Sequence, residues 1–275
     1  MPGYRYMETG PRRGDWNMAA DKVLMDMVER GELEFVLRTY RWDPPCVSLG
    51  RLQRPGAEVD PERVGAAGFD LVRRPTGGRA VLHHAEITYS VVASRSLPLV
   101  AGSVSESLRR MAGPLARALR GMGADVEAGP AERSSGGPRR PANPCFTSHG
   151  RWEITTRDGR KVVGSAQARR PGVFLEHGSI ILENRQHLMA DLLPESVPPE
   201  WRERIRKLLL RGTGALCELL EDPDPQLLRD GLRREFGREV GRRLEPMDPR
   251  ELDGEAVSAA AAECSLLAAE GGRAI

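Results

Sequence analysis

The order in which strand-like and helix-like stretches follow one another constrains this chain more than any other feature. Asp15 or Asn17 caps a first helix that runs to about Glu29, with Met18, Leu24, Met25 and Val28 on one face and Gly31 as its stop. Residues 34–42 (Glu-Phe-Val-Leu-Arg-Thr-Tyr-Arg-Trp) are then rich in β-formers and end at Pro44-Pro45. Val47 to Leu49, Phe69 to Arg73 and Glu86 to Ala93 read as further strands, the last with Ile87, Tyr89 and Val91 alternating. Only then does a second helix pattern appear, from 104 to about 122, opened by Ser103 and Glu106 in capping-box spacing. Strands follow strands without strict β-α-β alternation, and that order predicts an α+β fold. A doubly wound fold needs a Gly-x-Gly-x-x-Gly turn entering a helix. Here Gly77-Gly78 leads into the strand-like Ala80-Val81-Leu82 instead, which argues against a dinucleotide loop.

The second half changes character. Residues 129–144 are a mobile loop by their Pro, Gly, Ser and Arg content. Residues 151–157 and 160–167 form a hairpin around Asp158-Gly159, a favoured type I′ turn pair. Val173 to Leu175 and Ser179 to Glu183 add one more strand region. From Pro198 the pattern is helical, repeating at Ile205, Leu208, Leu209, Leu216, Leu219 and Leu220. Pro225 to Phe236 and Asp248 to about Glu270 fit two more helices. No internal repeat is visible. A chain of 275 residues can bury one sizeable core, so residues 1–195 are expected to form one domain and 196–275 a helical cap on it.

Composition excludes several classes. A net charge of +2 implies no global attraction to nucleic acid. No apolar run approaches the ~18 residues that span a bilayer, and Met1 to Arg13 lacks a signal-peptide core. Cys46, Cys145, Cys217 and Cys264 are far apart and show no CxxC spacing. They read as free thiols of a reducing cytoplasm, with no metal site and no cofactor expected.

The chemistry is concentrated in residues 145–178. Of 41 basic side chains only Lys22, Lys161 and Lys207 are lysine. The arginine excess suggests a GC-rich coding bias, against which a retained lysine stands out. Lysine is a compact charge that exchanges a proton, and arginine is not. Cys145, upstream in the same segment, supplies a nucleophile whose thiolate a nearby ammonium favours. The plain alternative is a structural cysteine and a solvated hairpin lysine.

A second segment, Arg73-Arg74-Pro75-Thr76-Gly77-Gly78-Arg79-Ala80-Val81-Leu82-His83-His84, adds weight to the first reading. Together with Lys161-Val-Val-Gly164-Ser165-Ala166-Gln167 and His177-Gly178 it resembles the lipoyl branch of the biotin/lipoate protein ligase superfamily. Asn17-Met18-Ala19-x-Asp21, Arg41-Trp42 and Val47-Ser48-Leu49-Gly50-Arg51-x-Gln53 agree with it. The resemblance implies a mixed central β-sheet related to the class II synthetase core, with flanking helices and a helical C-terminal segment. It implies that the Gly77-Gly78 loop walls a tunnel for an octanoyl chain. Arg74, Thr76, His83, Gly164, Ser165, Ala166, His177 and Gly178 would then surround the ligand, with Lys161 beside the acyl carbonyl.

Within that superfamily the chain is most similar to octanoyltransferases of Gram-positive type, which show Pro-Cys-Phe, then a Trp/Tyr-Glu pair (Trp152-Glu153) and Gly-x-Lys before Gly-Ser-Ala-Gln. That likeness implies transfer of an octanoyl group from octanoyl-acyl carrier protein, through a thioester on Cys145. The acceptor would be a lipoyl-domain lysine of glycine cleavage H protein or a dehydrogenase E2 subunit. Three alternatives stay open: an ATP-dependent lipoate ligase, an amidotransferase between lipoyl domains, and a non-catalytic acyl-carrier-binding protein. Residues 129–175 carry nine basic against three acidic side chains, a balance that suits an acidic carrier or only reflects codon bias.

Overall fold

A computed structural model describes residues 3–130, 144–145 and 152–267. The expected loop over 129–144 therefore lies outside the described residues from 131 to 143, as do Phe146 and the end of the last expected helix. The core is an eight-stranded sheet in the order β11-β1-β2-β6-β10-β9-β8-β7. Its strands are β1 (Gly3–Arg12), β2 (Leu33–Trp42), β6 (Glu86–Ser94), β7 (Val126–Gly129), β8 (Glu153–Thr156), β9 (Lys161–Arg170), β10 (Val173–Ile181) and β11 (Glu245–Pro246). β1 runs parallel to β2 and β11, and the remaining pairs are antiparallel, so the sheet is mixed.

Alternation along the central strands divides the sheet into two faces. Phe35, Leu37, Ile87, Tyr89, Val91, Phe174 and Ile180 point to one. There they pack on α3 (Val104–Gly121) and α6 (Pro225–Glu239). Val36, Val92, Val173 and Leu175 point to the other, under α1 (Gly14–Glu29) and α7 (Gly254–Cys264). Further along that second face the apolar pattern breaks off. Thr88, Ser90, His177 and Ser179 are all buried there, and polar groups at these depths need partners.

A small sheet covers this polar stretch. It is built from β3 (Cys46–Leu49), β4 (Asp70–Arg73) and β5 (Val81–His83), with β3 central, parallel to β4 and antiparallel to β5. The six-residue α2 (Pro61–Ala66), α4 (Pro199–Gly212) and the single turn α5 (Leu216–Leu219) complete the chain. The end of β3 touches the 77–78 loop so closely that a Cβ on Gly50 would overlap the Gly78 carbonyl. Gly78 itself takes φ +95, a conformation open to glycine.

Several expectations need correction. The N-terminal residues form a ten-residue strand, β1, which the sequence reading left unassigned. Neither Asp15 nor Asn17 caps α1. Arg13 takes the cap position, and Asp70 of β4 accepts from Gly14 N–H at 2.9 Å. The Asn17 amide instead donates to the carbonyls of Arg12 and Arg41. The hairpin turn is not type I′, which needs positive φ at both central residues. Only Gly159 has it, at +83, and Gly159 N–H donates to Thr156 O at 3.0 Å. That is a type I turn closed by a left-handed glycine, with a bulge in the β8–β9 register. Residues 173–183 form one continuous strand to Ile181. The Ser103–Glu106 capping box is present as read.

Candidate active site

Between the α1 face of the main sheet and the small sheet lies a cavity. The main sheet contributes Thr88, Gly164, Ala166, His177, Gly178 and Ser179, and the small sheet contributes Ser48, Val81 and His83. Met18 comes from α1, and Tyr40 and Trp42 from the end of β2. Cys145 joins the wall from a segment whose amide donates to Ala80 O at 2.9 Å.

Arg74 organises the loop over this cavity. Its guanidinium donates to Ser48 O and Ser48 Oγ at 2.8 and 3.0 Å and to Thr76 Oγ1 at 3.2 Å. It also donates to the carbonyls of Gly77 and Arg79 at 2.8 and 2.7 Å. Burial pulls it down to about 10, so it keeps its charge at neutral pH. Each guanidinium nitrogen is committed to protein acceptors, which makes Arg74 the clamp of the 76–79 loop.

Two carboxylates fix two histidine tautomers. A carboxylate only accepts, so His83 Nδ1 carries a hydrogen and donates to Glu86 Oε1 at 2.8 Å. In the neutral ring Nε2 is then bare and accepts from Ser48 Oγ, 2.7 Å away, while Ser48 Oγ itself accepts from Arg74. By the same logic His177 Nδ1 donates to Asp21 Oδ2 at 3.1 Å, and its Nε2 accepts from Thr76 Oγ1 at 2.7 Å. Burial pushes His177 down, toward the neutral form. Burial opposes the charge on Asp21 as well. The bonds from His177, Arg38 (2.9 Å) and Ser90 outweigh it and hold Asp21 below the usual carboxylate range. Glu86 Oε1 also accepts from Thr88 and Ser179, and Trp42 stacks on His83 with ring centres 4.0 Å apart.

Lys161 opens β9, and it is not a solvated hairpin residue. Only 6% of it is exposed, and Nζ donates to Glu153 Oε1 at 2.6 Å. Burial works against its charge, yet the Cys145 sulfur and the Glu153 carboxylate outweigh burial and raise its pKa. Lys161 therefore stands as a buried ammonium held by Glu153, and it is not among the residues that wall the cavity. The other cysteines differ. Cys46 and Cys264 are buried with their thiols pushed up by burial, and Cys217 is exposed at α5, away from the cavity walls.

On the opposite face of the sheet, Tyr89 OH and Gln167 Nε2 donate to the two oxygens of Glu176 at 2.7 and 2.6 Å. Tyr89 OH also meets Ser165 Oγ at 2.7 Å, tying the cavity floor to this buried carboxyl. A Cβ on Gly178 would meet Tyr89 Cε1 and Gly164 O, both at 2.7 Å.

Of the residues singled out from the sequence, Cys145, Arg74, Gly78, His83, Gly164, Ser165, Ala166, His177 and Gly178 wall the cavity. Thr76 and Gly77 sit one bond behind it, through His177 and Arg74. His84 turns away, its ring edge against Phe69. Sequence reasoning missed Ser48, Glu86, Thr88 and Ser179 as site residues. The available signal was a run of polar positions along strands that are otherwise apolar. The basic stretch is largely neutralised where it is described. Arg157 pairs with Asp125, Arg160 with Asp158 and Glu218, and Arg170 with Asp26. Arg133, Arg139, Arg140 and Arg151 lie outside the described residues. Among the described residues no helix is long and apolar enough to cross a membrane, and no His/Cys/Asp/Glu group is arranged for a metal.

The family model described as the lipoyl protein ligase A/B catalytic domain matches residues 14–237. An octanoyltransferase LipM of Kyrpidia tusciae is 42% identical over 253 residues, covering 90% of each chain. Another, of Symbiobacterium thermophilum, is 40% identical over 254 residues, covering 88% of each. Among solved structures, a bipartite lipoate protein ligase with its E2 lipoyl domain, from Thermoplasma acidophilum, superposes with TM-score 0.73. It is 21% identical, over 96% of this chain and 92% of that one, a likeness of fold.

Proposed function

The chain belongs to the lipoyl protein ligase A/B catalytic-domain family, and from that membership we propose that it is an acyltransferase carrying an octanoyl group to a lipoyl-domain lysine in lipoate biosynthesis. The relatives over 40% identical or close to it are octanoyltransferases, which supports the octanoyl group and the reaction class. The donor in this reading is octanoyl-acyl carrier protein, and the acceptor is glycine cleavage H protein or a dehydrogenase E2 domain. Cys145 carries the acyl group between them as a thioester.

The observation that supports the thioester is a half-buried Cys145 in the wall of the main cavity, with a buried Lys161 whose pKa that sulfur and Glu153 raise against burial. The thiolate attacks the donor carbonyl, and the carrier thiolate leaves and takes a proton from solvent. The acceptor amine then attacks the Cys145 thioester, the C–S bond breaks, and the thiolate returns to Lys161. Thioester exchange is near isoenergetic and thioester to amide runs downhill, so two easier steps replace one hard one without ATP. Gly77 and Gly78 let the loop backbone approach the acyl chain. Burying that chain against Met18, Tyr40, Trp42 and Val81 is worth about 5 kcal/mol at ~0.8 kcal/mol per methylene.

Incubation with octanoyl-carrier protein, without ATP or magnesium, followed by intact mass measurement, tests this. One octanoyl adduct is expected, and it should pass to an added lipoyl domain. Lipoylation that requires ATP and leaves no adduct would move the chain to the ligase reading.

A further inference from the structure

Amide formation must remove a proton from the attacking amine, and Lys161 is badly placed to take it. Its ammonium already holds its proton against Glu153 at 2.6 Å. Acylation caps the Cys145 sulfur but leaves that carboxylate in place. The cavity holds another route. Ser48 Oγ, His83 Nε2 and Nδ1, and Glu86 Oε1 form a hydroxyl–imidazole–carboxylate chain with links of 2.7 and 2.8 Å. Ser48 and His83 share the cavity wall with Cys145. In the neutral imidazole the Glu86 carboxylate at Nδ1 leaves His83 Nε2 free of hydrogen and aimed at Ser48, the state a base must start from. The parallel chain through Thr76, His177 and Asp21 does not offer its hydroxyl to the cavity wall.

We propose that Ser48, His83 and Glu86 form the proton relay of the transfer step, with Ser48 meeting the acceptor amine, His83 taking the proton and Glu86 steadying the imidazolium. The inference rests on the thioester reading above. The acceptor lysine loses one proton to solvent as it enters. Its nitrogen bonds to the thioester carbonyl carbon. The second proton passes to Ser48 Oγ as Ser48 hands its own to His83 Nε2. The C–S bond then breaks and the electron pair leaves on Cys145 sulfur, opposite Lys161. His83 releases its proton to solvent. Glu86 Oε1 gathers Thr88, Ser179 and His83 on one atom, which leaves the imidazole a single orientation. Trp42 stacked on the ring prevents it from turning.

The test uses full-length enzyme preloaded with octanoyl on Cys145 and offers two nucleophiles, a lipoyl domain and hydroxylamine. Hydroxylamine is unprotonated at neutral pH and needs far less help from a base. In preloaded Ser48→Ala and His83→Gln, transfer to the lipoyl domain should fall about 10²–10⁴-fold further than capture by hydroxylamine does. Equal slowing of both nucleophiles, or no slowing, overturns the relay and leaves a structural network. The wild type gives an independent reading: transfer to the lipoyl domain should slow in D₂O more than capture by hydroxylamine, and identical solvent isotope effects overturn it too. Failure of the wild type to load at all is a different result, and it removes the thioester reading itself.

Discussion

At the scale of single residues, the scarcity of lysine singles out Lys161 beside Cys145, and the structure shows that lysine buried against Glu153. Only 6% of Lys161 is exposed, and its ammonium lies 2.6 Å from Glu153 Oε1. Lys161→Arg keeps the charge but pushes a larger planar group into a filled space, where overpacking costs about 1–3 kcal/mol. The octanoylation rate should fall by about 10²-fold, the loss typical of one misplaced electrostatic group. An arginine variant with wild-type kinetics would show that charge alone suffices. Cys145→Ser should lose adduct formation by about 10³-fold or more, because a serine hydroxyl is a far weaker nucleophile than a thiolate. Cys46→Ala, Cys217→Ala and Cys264→Ala should still load, and a stable adduct surviving denaturation in Cys145→Ser would remove the assignment. Glu86 and Ser48 escaped the sequence reading because they lie 3 and 35 residues from His83 in opposite directions, each on a different strand from it.

At the scale of elements, local chemistry was legible wherever neighbours in sequence are neighbours in space. The Ser103–Glu106 box and the Ile87–Tyr89–Val91 alternation are of that kind. It failed where a distant element supplies the partner. The start of α1 is the clear case, since Asp70 of β4 accepts from Gly14 N–H at 2.9 Å and pairs with Arg13 at 2.8 Å. No reading of residues 13–17 alone could show that cap. Asp70→Ala should cost about 1–2 kcal/mol, as the loss of a helix cap does, seen as a lower denaturant midpoint with unchanged slope. The turn at Asp158-Gly159 was misread for a related reason: an extra residue in β9 accommodates a different turn than the dipeptide alone suggests. Gly178→Ala belongs to this scale too. Its Cβ would strike Tyr89 and the β9 backbone at 2.7 Å, across three adjacent strands. The variant should lose both stability, by about 1–3 kcal/mol, and acyl loading.

At the scale of the whole molecule, the α+β class and the mixed sheet were legible from element order and family resemblance. What composition could not show is that one sheet carries two buried polar layers on its opposite faces. The cavity face balances its carboxylates with Arg38, His83 and hydroxyl donors. On the α3 face, Tyr89 and Gln167 donate to the buried Glu176. Burial pushes this carboxyl up to about 7 although those hydrogen bonds favour its ionised form. The consequence is global, because protons taken up on folding set the stability of the entire chain. Below about pH 4 Glu176 is protonated in both states and has no effect. As pH rises the unfolded carboxyl ionises first, so its contribution to stability declines until about pH 7 and is constant above. At about 1.4 kcal/mol per pH unit the loss amounts to roughly 3 kcal/mol. Glu176→Gln holds the group neutral at every pH. Denaturant midpoints of variant and wild type should therefore agree near pH 4 and separate steadily up to pH 7–8, with the variant the more stable. Two curves running parallel across that range would mean that Glu176 ionises freely in the fold, and that its surroundings are far wetter than the packing of β6, β9 and β10 against α3 implies.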